Sequence, residues 1–177
     1  MIVLEVFFME YKEVKKILDD VDKIPYPNVN YLEKSQGYAK MLYDDFGGDF
    51  GELTAITQYI YQHIALAEKE DISKTMLSIA IVEMKHIDLV GELIRKLGYK
   101  PIYVGSTGSF WDASNLRYEI KSIQDMMEYN IKSEEEAIKG YEKAKRMTRN
   151  KMLRSLFDRI ILDEKTHIKI FESFLKK

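Results

Sequence analysis

Apolar residues recur along most of this chain at alternating spacings of four and three. One series runs Met76, Ala80, Glu83, Ile87, Val90, Ile94, Leu97, and another runs Leu153, Phe157, Ile160, Glu164, His167, Phe171, Phe174. Two shorter series are Glu52, Ile56, Tyr59, His63, Leu66 and Met127, Ile131, Glu134, Ile138, Tyr141. This is the stripe that a helix turns toward its partners. It predicts four long helices at about 49–69, 73–97, 116–147 and 151–175. A further helix is expected at about 30–45, and 1–22 has helical character too. Pro25, Pro27 and Pro101 leave 28–100 and 102–177 free of the residue that breaks helices. No alternating strand pattern competes.

The connections predict the topology. The first and second long helices, and the third and fourth, are joined by short turns, so each pair is expected to be antiparallel. The middle connection, 98–115, is rich in Gly, Ser and Thr and could stretch to roughly 60 Å. A helix of 25 residues is only about 37 Å long. The connection can therefore run the length of a bundle and restart the chain at the far end. An all-α four-helix bundle with one long crossover is the ferritin-like arrangement. On this reading 31–177 forms the bundle domain and 1–30 an N-terminal appendage. Trp111, within Phe110-Trp111-Asp112, is expected to anchor the crossover.

The two halves repeat each other. Glu52-Leu53-Thr54-Ala55-Ile56-Thr57-Gln58-Tyr59 and Glu134-Glu135-Glu136-Ala137-Ile138-Lys139-Gly140-Tyr141 both read E-x-x-A-I-x-x-Y. Glu83-Met84-Lys85-His86-Ile87 and Glu164-Lys165-Thr166-His167-Ile168 both read E-x-x-H-I, at nearly the same distance downstream. The stripe selects Glu134 over Glu135 and Glu136. Four carboxylates and two imidazoles thus stand where leucines would be expected. Burying an ionised carboxylate costs several kcal/mol unless it is paired or bound to a cation, and these stripes contain no Lys or Arg. Two divalent cations would neutralise four glutamates. A Glu and a His three residues apart share a helix face, about 60° and 4.5 Å apart, so they can reach one metal or two adjacent ones. One Glu from each of two helices with Glu-x-x-His from two others is the known constellation of dimetal carboxylate proteins. The candidate metal ligands are Glu52, Glu83, His86, Glu134, Glu164 and His167.

Each piece also has a plainer reading. Asp49-x-x-Glu52 fits a capping box, a lone Glu-x-x-His fits a solvated pair, and Glu134-Glu135-Glu136 fits an exposed acidic run. Their joint occurrence in duplicate favours the metal reading. His63 has no counterpart in the repeat and is expected to be a core or interface histidine. Tyr59 and Tyr141 suit packing, with a hydroxyl able to hydrogen-bond a neighbouring ligand, and Asp163 is a candidate for the same supporting role.

Composition narrows the function. Twenty-seven basic and 29 acidic residues leave a formal charge of −2, without the basic excess that nucleic-acid binding requires. There is no cysteine, which excludes disulfides, Cys-ligated zinc, iron–sulfur clusters, thiol catalysis and a rubredoxin-type iron centre within these residues. The apolar stretch Met1 to Met9 contains Glu5, lacks a basic lead-in and is too short to span a bilayer. The expectation is a cytoplasmic protein without a membrane partner.

The duplicated motifs resemble the ferritin-like superfamily, which includes rubrerythrins, bacterioferritins and manganese catalases, and the likeness covers about 49–175. The run Gly47-Gly48-Asp49-Phe50-Gly51-Glu52-Leu53 followed by Gln58-Tyr59 resembles manganese catalases and their spore-coat relatives in particular. The resemblance implies that Glu52, Glu83, His86, Glu134 and His167 are ligands. Glu164 is a direct ligand in the rubrerythrin pattern and supports the ligands in the catalase pattern. It also implies two metal ions, iron or manganese, hydrogen peroxide or O2 as the small-molecule substrate, and assembly into a dimer or higher homo-oligomer. Two departures stand out: manganese catalases are longer in their second half, and rubrerythrins carry a Cys-rich rubredoxin module. Catalase-like dismutation or rubrerythrin-like peroxide reduction is the leading expectation. Ferroxidase activity with iron storage, or a coat-like structural role around a vestigial site, are the alternatives.

Overall fold

The computed structural model describes residues 10–175, so the part of the 1–22 expectation that falls on 1–9 lies outside the described residues. Six α-helices follow one another: α1 Tyr11–Asp22, α2 Gln36–Gly47, α3 Glu52–Ala65, α4 Glu70–Lys96, α5 Ile123–Arg146 and α6 Lys151–Ser173. Helices α3 and α4 form one antiparallel hairpin and α5 and α6 the other, while α2 lies against α3, α4 and α5, and α1 against α4 and α6. This is the all-α, ferritin-like bundle expected from the stripes. Among the described residues the only β-type pairing is an isolated bridge between Val104 and Phe110 within the crossover. No helix among them is long and apolar enough to cross a membrane.

Local chemistry sets the helix boundaries, and three depart from the stripe reading. The turn between α3 and α4 falls at Leu66–Lys69 rather than at Asp71–Ser73, because Glu70 and Asp71 occupy the first turn of α4, where the helix dipole favours negative charge. Ser73 is then free to bond His63, accepting or donating at Nδ1 over 2.8 Å and donating to the His63 carbonyl over 2.9 Å. His63, expected to be a core or interface histidine, is half-buried and ties the end of α3 to the start of α4. The crossover runs on to Ser122, whose hydroxyl caps α5 by accepting from Asp125 N at 3.0 Å. Residues 116–121 stay extended because the Gln58 amide pairs with the Arg117 backbone at both ends, 2.9 Å to its carbonyl and 2.8 Å from its N–H. The Tyr61 hydroxyl donates to the Tyr118 carbonyl in the same stretch. Trp111 anchors the crossover as expected, its indole N–H donating to Thr54 Oγ1 at 3.0 Å. Between α5 and α6, Asn150 caps α6 by accepting from Met152 and Leu153.

Two apolar clusters fill the bundle. One gathers Leu42, Phe46, Val90, Ile94, Tyr141, Leu153, Phe157 and Ile160 beneath α2. The other gathers Val14, Tyr59, Ile72, Met76, Ile79, Met127, Ile170 and Phe171 beneath α1. The duplicated polar residues occupy the interval between these plugs, so water is excluded from both ends of the centre.

Candidate metal centre

The approach to α3 is built by close backbone packing. A Cβ on Gly47 would lie 2.9 Å from Val104 N in the crossover, and one on Gly51 would lie 2.5 Å from the Asp44 carbonyl. Gly51 is the residue before α3, so Glu52 enters the bundle as the first helical residue. It does not form the capping box that Asp49-x-x-Glu52 allows: its carboxylate points inward and accepts a hydrogen bond from the Tyr141 hydroxyl. Glu134 sits in mid-helix on α5 and accepts from the Tyr59 hydroxyl at 2.6 Å. Each tyrosine therefore supports the glutamate of the opposite repeat rather than its own. Glu135 is exposed and Glu136 pairs with Lys139 at 2.7 Å, as the stripe anticipated.

All six candidate ligands are buried, none more than 3% exposed. They form two overlapping groups, Glu52–Glu83–His86–Glu164 and Glu83–Glu134–Glu164–His167, in each of which one donor atom per residue lies within 4.8 Å of the others. Glu83 and Glu164 belong to both. His86 Nδ1 lies 2.8 Å from Glu83 Oε2, 3.1 Å from Glu164 Oε1 and 3.6 Å from Glu52 Oε2. His167 Nδ1 lies 2.9 Å from Glu83 Oε1, 3.1 Å from Glu164 Oε2 and 3.4 Å from Glu134 Oε1. The two shared glutamates thus turn one oxygen toward each imidazole, with a terminal glutamate at either side.

The electrostatics follow from this crowding. Burial pushes the Glu52 and Glu134 carboxyls up, Glu134 to about 8, and the charges of Glu83 and Glu164 push the same way. Burial would raise Glu83 as well, but His167 and His86 outweigh it and hold this carboxyl below the usual range. Burial alone would lower both imidazoles; the surrounding carboxylates reverse that and hold His86 and His167 well above the ordinary value. Tyr59 and Tyr141 are raised by burial and then by Glu134 and Glu52, so both remain hydroxyl donors.

These donors suit a pair of cations. Glu83 Oε1, both Glu164 oxygens and His167 Nδ1 are buried without a hydrogen bond, although three carboxylate oxygens surround His167 Nδ1 at 2.9 to 3.4 Å. Close approach without hydrogen-bond direction is what a set of metal donors shows, whereas a network built for protons satisfies its buried members. Carboxylate and imidazole together match iron or manganese.

Three surrounding residues bear on the centre. Asp163 Oδ2 accepts from His86 Nε2 at 3.0 Å and from the Tyr26 hydroxyl at 2.6 Å. Its other oxygen pairs with Arg159 at 2.5 Å, and that guanidinium lies 4.3 Å from the Tyr26 ring centroid. Arg159 also donates to the carbonyls of Val21 and Ile24, tying α6 to the end of α1 and the segment after it. Asp163 thus lies against His86, and Tyr26 and Arg159 join it from outside the repeated motifs. Tyr26 lies between two prolines with no periodic signal, whereas Arg159, four residues before Asp163 on one helix face, is legible as an ion pair. A cavity of about 20 Å³ reaches the centre between α3 and α5, lined in part by Phe50, Tyr59, Glu83, Glu134, Ala137 and Glu164.

Fold and site together define a ferritin-like dimetal-carboxylate protein. The chain belongs to the rubrerythrin family, whose model matches residues 50–175. It is 25% identical to a probable manganese catalase of Clostridium acetobutylicum, over 94% of this chain and 80% of that protein. Its structure is similar to a manganese catalase from Anabaena, with a TM-score of 0.76 and 27% identity over 85% of this chain and 76% of the other. It is also similar to the bacterioferritin of Desulfovibrio desulfuricans, described with a diiron site, with a TM-score of 0.61 and 25% identity over 77% of this chain and 76% of that one.

Proposed function

We propose that this protein is a dimetal oxidoreductase that dismutes hydrogen peroxide to water and oxygen. The observation that carries the reading is the paired arrangement of Glu83 and Glu164, each turning one oxygen toward each histidine. Glu52 and His86 would hold one ion, Glu134 and His167 the other, with Glu83 and Glu164 serving both. Two adjacent iron or manganese ions held there would supply the two-electron exchange that peroxide dismutation needs. The protein's part is to hold the ligands and exclude larger molecules. Tyr59 and Tyr141 fix the terminal glutamates, and a small cavity of about 20 Å³ leads toward them between α3 and α5. The likeness to a manganese catalase and to a probable one supports dismutation. So does the lack of cysteine, since two peroxides yield two waters and O2 with no external reductant or thiol relay.

Elemental analysis of aerobically purified protein, followed by oxygen evolution on adding peroxide, tests the reading. Two ions per chain and rapid oxygen release are expected. Glu83→Ala and His167→Ala should lose metal and turnover together, while Glu135→Ala should retain both. Full metal content in the first two variants would refute the ligand assignment. The bacterioferritin likeness favours a second reading, ferroxidase chemistry with iron storage. A large hollow assembly that mineralises Fe(II) without releasing oxygen from peroxide would select it.

A further inference from the structure

The duplication that builds the centre is broken at one place. Glu52 and Glu134 each accept from a tyrosine of the other repeat, and Glu83 and Glu164 each turn one oxygen toward His86 and one toward His167. Behind the histidines the match fails. His86 Nε2 has Asp163, itself held by Tyr26 and Arg159. His167 Nε2 is fully buried and has no hydrogen-bond partner among the described residues. The cause is legible in the chain: Asp163 directly precedes Glu164, whereas the residue before Glu83 is Val82, and Arg159 corresponds to Ser78.

A carboxylate behind a ligating histidine fixes which ring nitrogen faces the metal and raises its donor strength, and losing such a partner typically lowers metal affinity about 10–100-fold. From this, and resting on the dimetal reading above, we infer that the two metal positions are unequal. The His86 position fills first and holds its ion, and the His167 position is the labile one. Asp163 acts as a positioning residue through His86, with Tyr26 and Arg159 setting its place. Val82 withholds the same support from His167.

The test is an anaerobic titration of metal-free protein with Mn(II), with free and bound metal followed by electron paramagnetic resonance. The wild type should bind two equivalents in two steps at least about tenfold apart in dissociation constant. At one equivalent the bound metal should give a mononuclear signal. Asp163→Asn should loosen the first step. Val82→Asp, at a partly exposed position, should tighten the second step and narrow the gap. Two equal steps in the wild type would overturn the inference. So would a folded Val82→Asp protein, judged by circular dichroism, with the second step unchanged. Stepwise uptake without oxygen release from peroxide would sink the proposed reaction and leave the inequality standing. A folded wild type that takes up no Mn(II) would overturn both.

Discussion

Removing the metals should destabilise the protein by an amount that grows with pH. The perturbation is exhaustive chelation, followed by thermal unfolding with and without re-added metal. At free metal a hundredfold above the dissociation constant, each occupied position contributes about 2.7 kcal/mol, so two contribute about 5 kcal/mol. In a chain of this size 1 kcal/mol moves Tm by about 2–4 °C, so chelation should lower Tm by about 10–20 °C. The sign of the pH effect comes from the buried groups. Glu134, raised by burial to about 8, gives the metal-free fold stability that is fully present below the unfolded carboxyl value and is lost as pH rises through about 8. His86 and His167, held up by their carboxylate neighbours, act in the same direction above the ordinary imidazole value. Metal binding displaces these protons and strengthens as pH rises. The gap in Tm between loaded and chelated protein should therefore widen from about pH 5.5 to pH 8. Equal Tm values after metal analysis has verified removal would refute the argument that these carboxylates are buried for a cation. A gap that narrows over this range would refute the assigned protonation.

Two further outcomes follow from particular side chains. Tyr59→Phe and Tyr141→Phe each remove the donor to a buried glutamate, which should cost about 1–3 kcal/mol in urea unfolding of the chelated protein; a loss below a few tenths would show that the hydroxyls only fill space. Asp45 is buried on α2, pushed up to about 8 first by burial and then by the Asp44 charge. Its contribution is present below the unfolded carboxyl value and is lost as pH rises through about 8. Asp45→Asn should therefore gain on the wild type as pH rises from 5 to 8, by at most about 1.4 kcal/mol per unit. A constant difference between their urea midpoints across that range would contradict the burial.

Within the site, the chain alone states most plainly whatever the duplication repeats. Glu52 with Glu134, and Glu83-x-x-His86 with Glu164-x-x-His167, repeat at matched places in apolar stripes, so each copy confirms the other and the inward face is legible. Features set by one long-range contact leave no such trace. The start of α5 is delayed to Ile123 because Gln58 holds the Arg117 backbone extended, and no local pattern near 116 records a glutamine on another helix. The tyrosines were legible as possible hydrogen-bond donors, but their partners were not, since only the assembled bundle brings Tyr59 to Glu134 and Tyr141 to Glu52. Tyr26 is the extreme case: it lies outside both repeats, in a proline-bounded loop, yet its hydroxyl meets the carboxylate behind His86. A repeat therefore reveals the symmetric part of a site and conceals what distinguishes its halves. That distinction rests on Val82 and Asp163, neighbours of the motif rather than members of it, and its consequence emerges only when the far nitrogen of each histidine is traced to its partner.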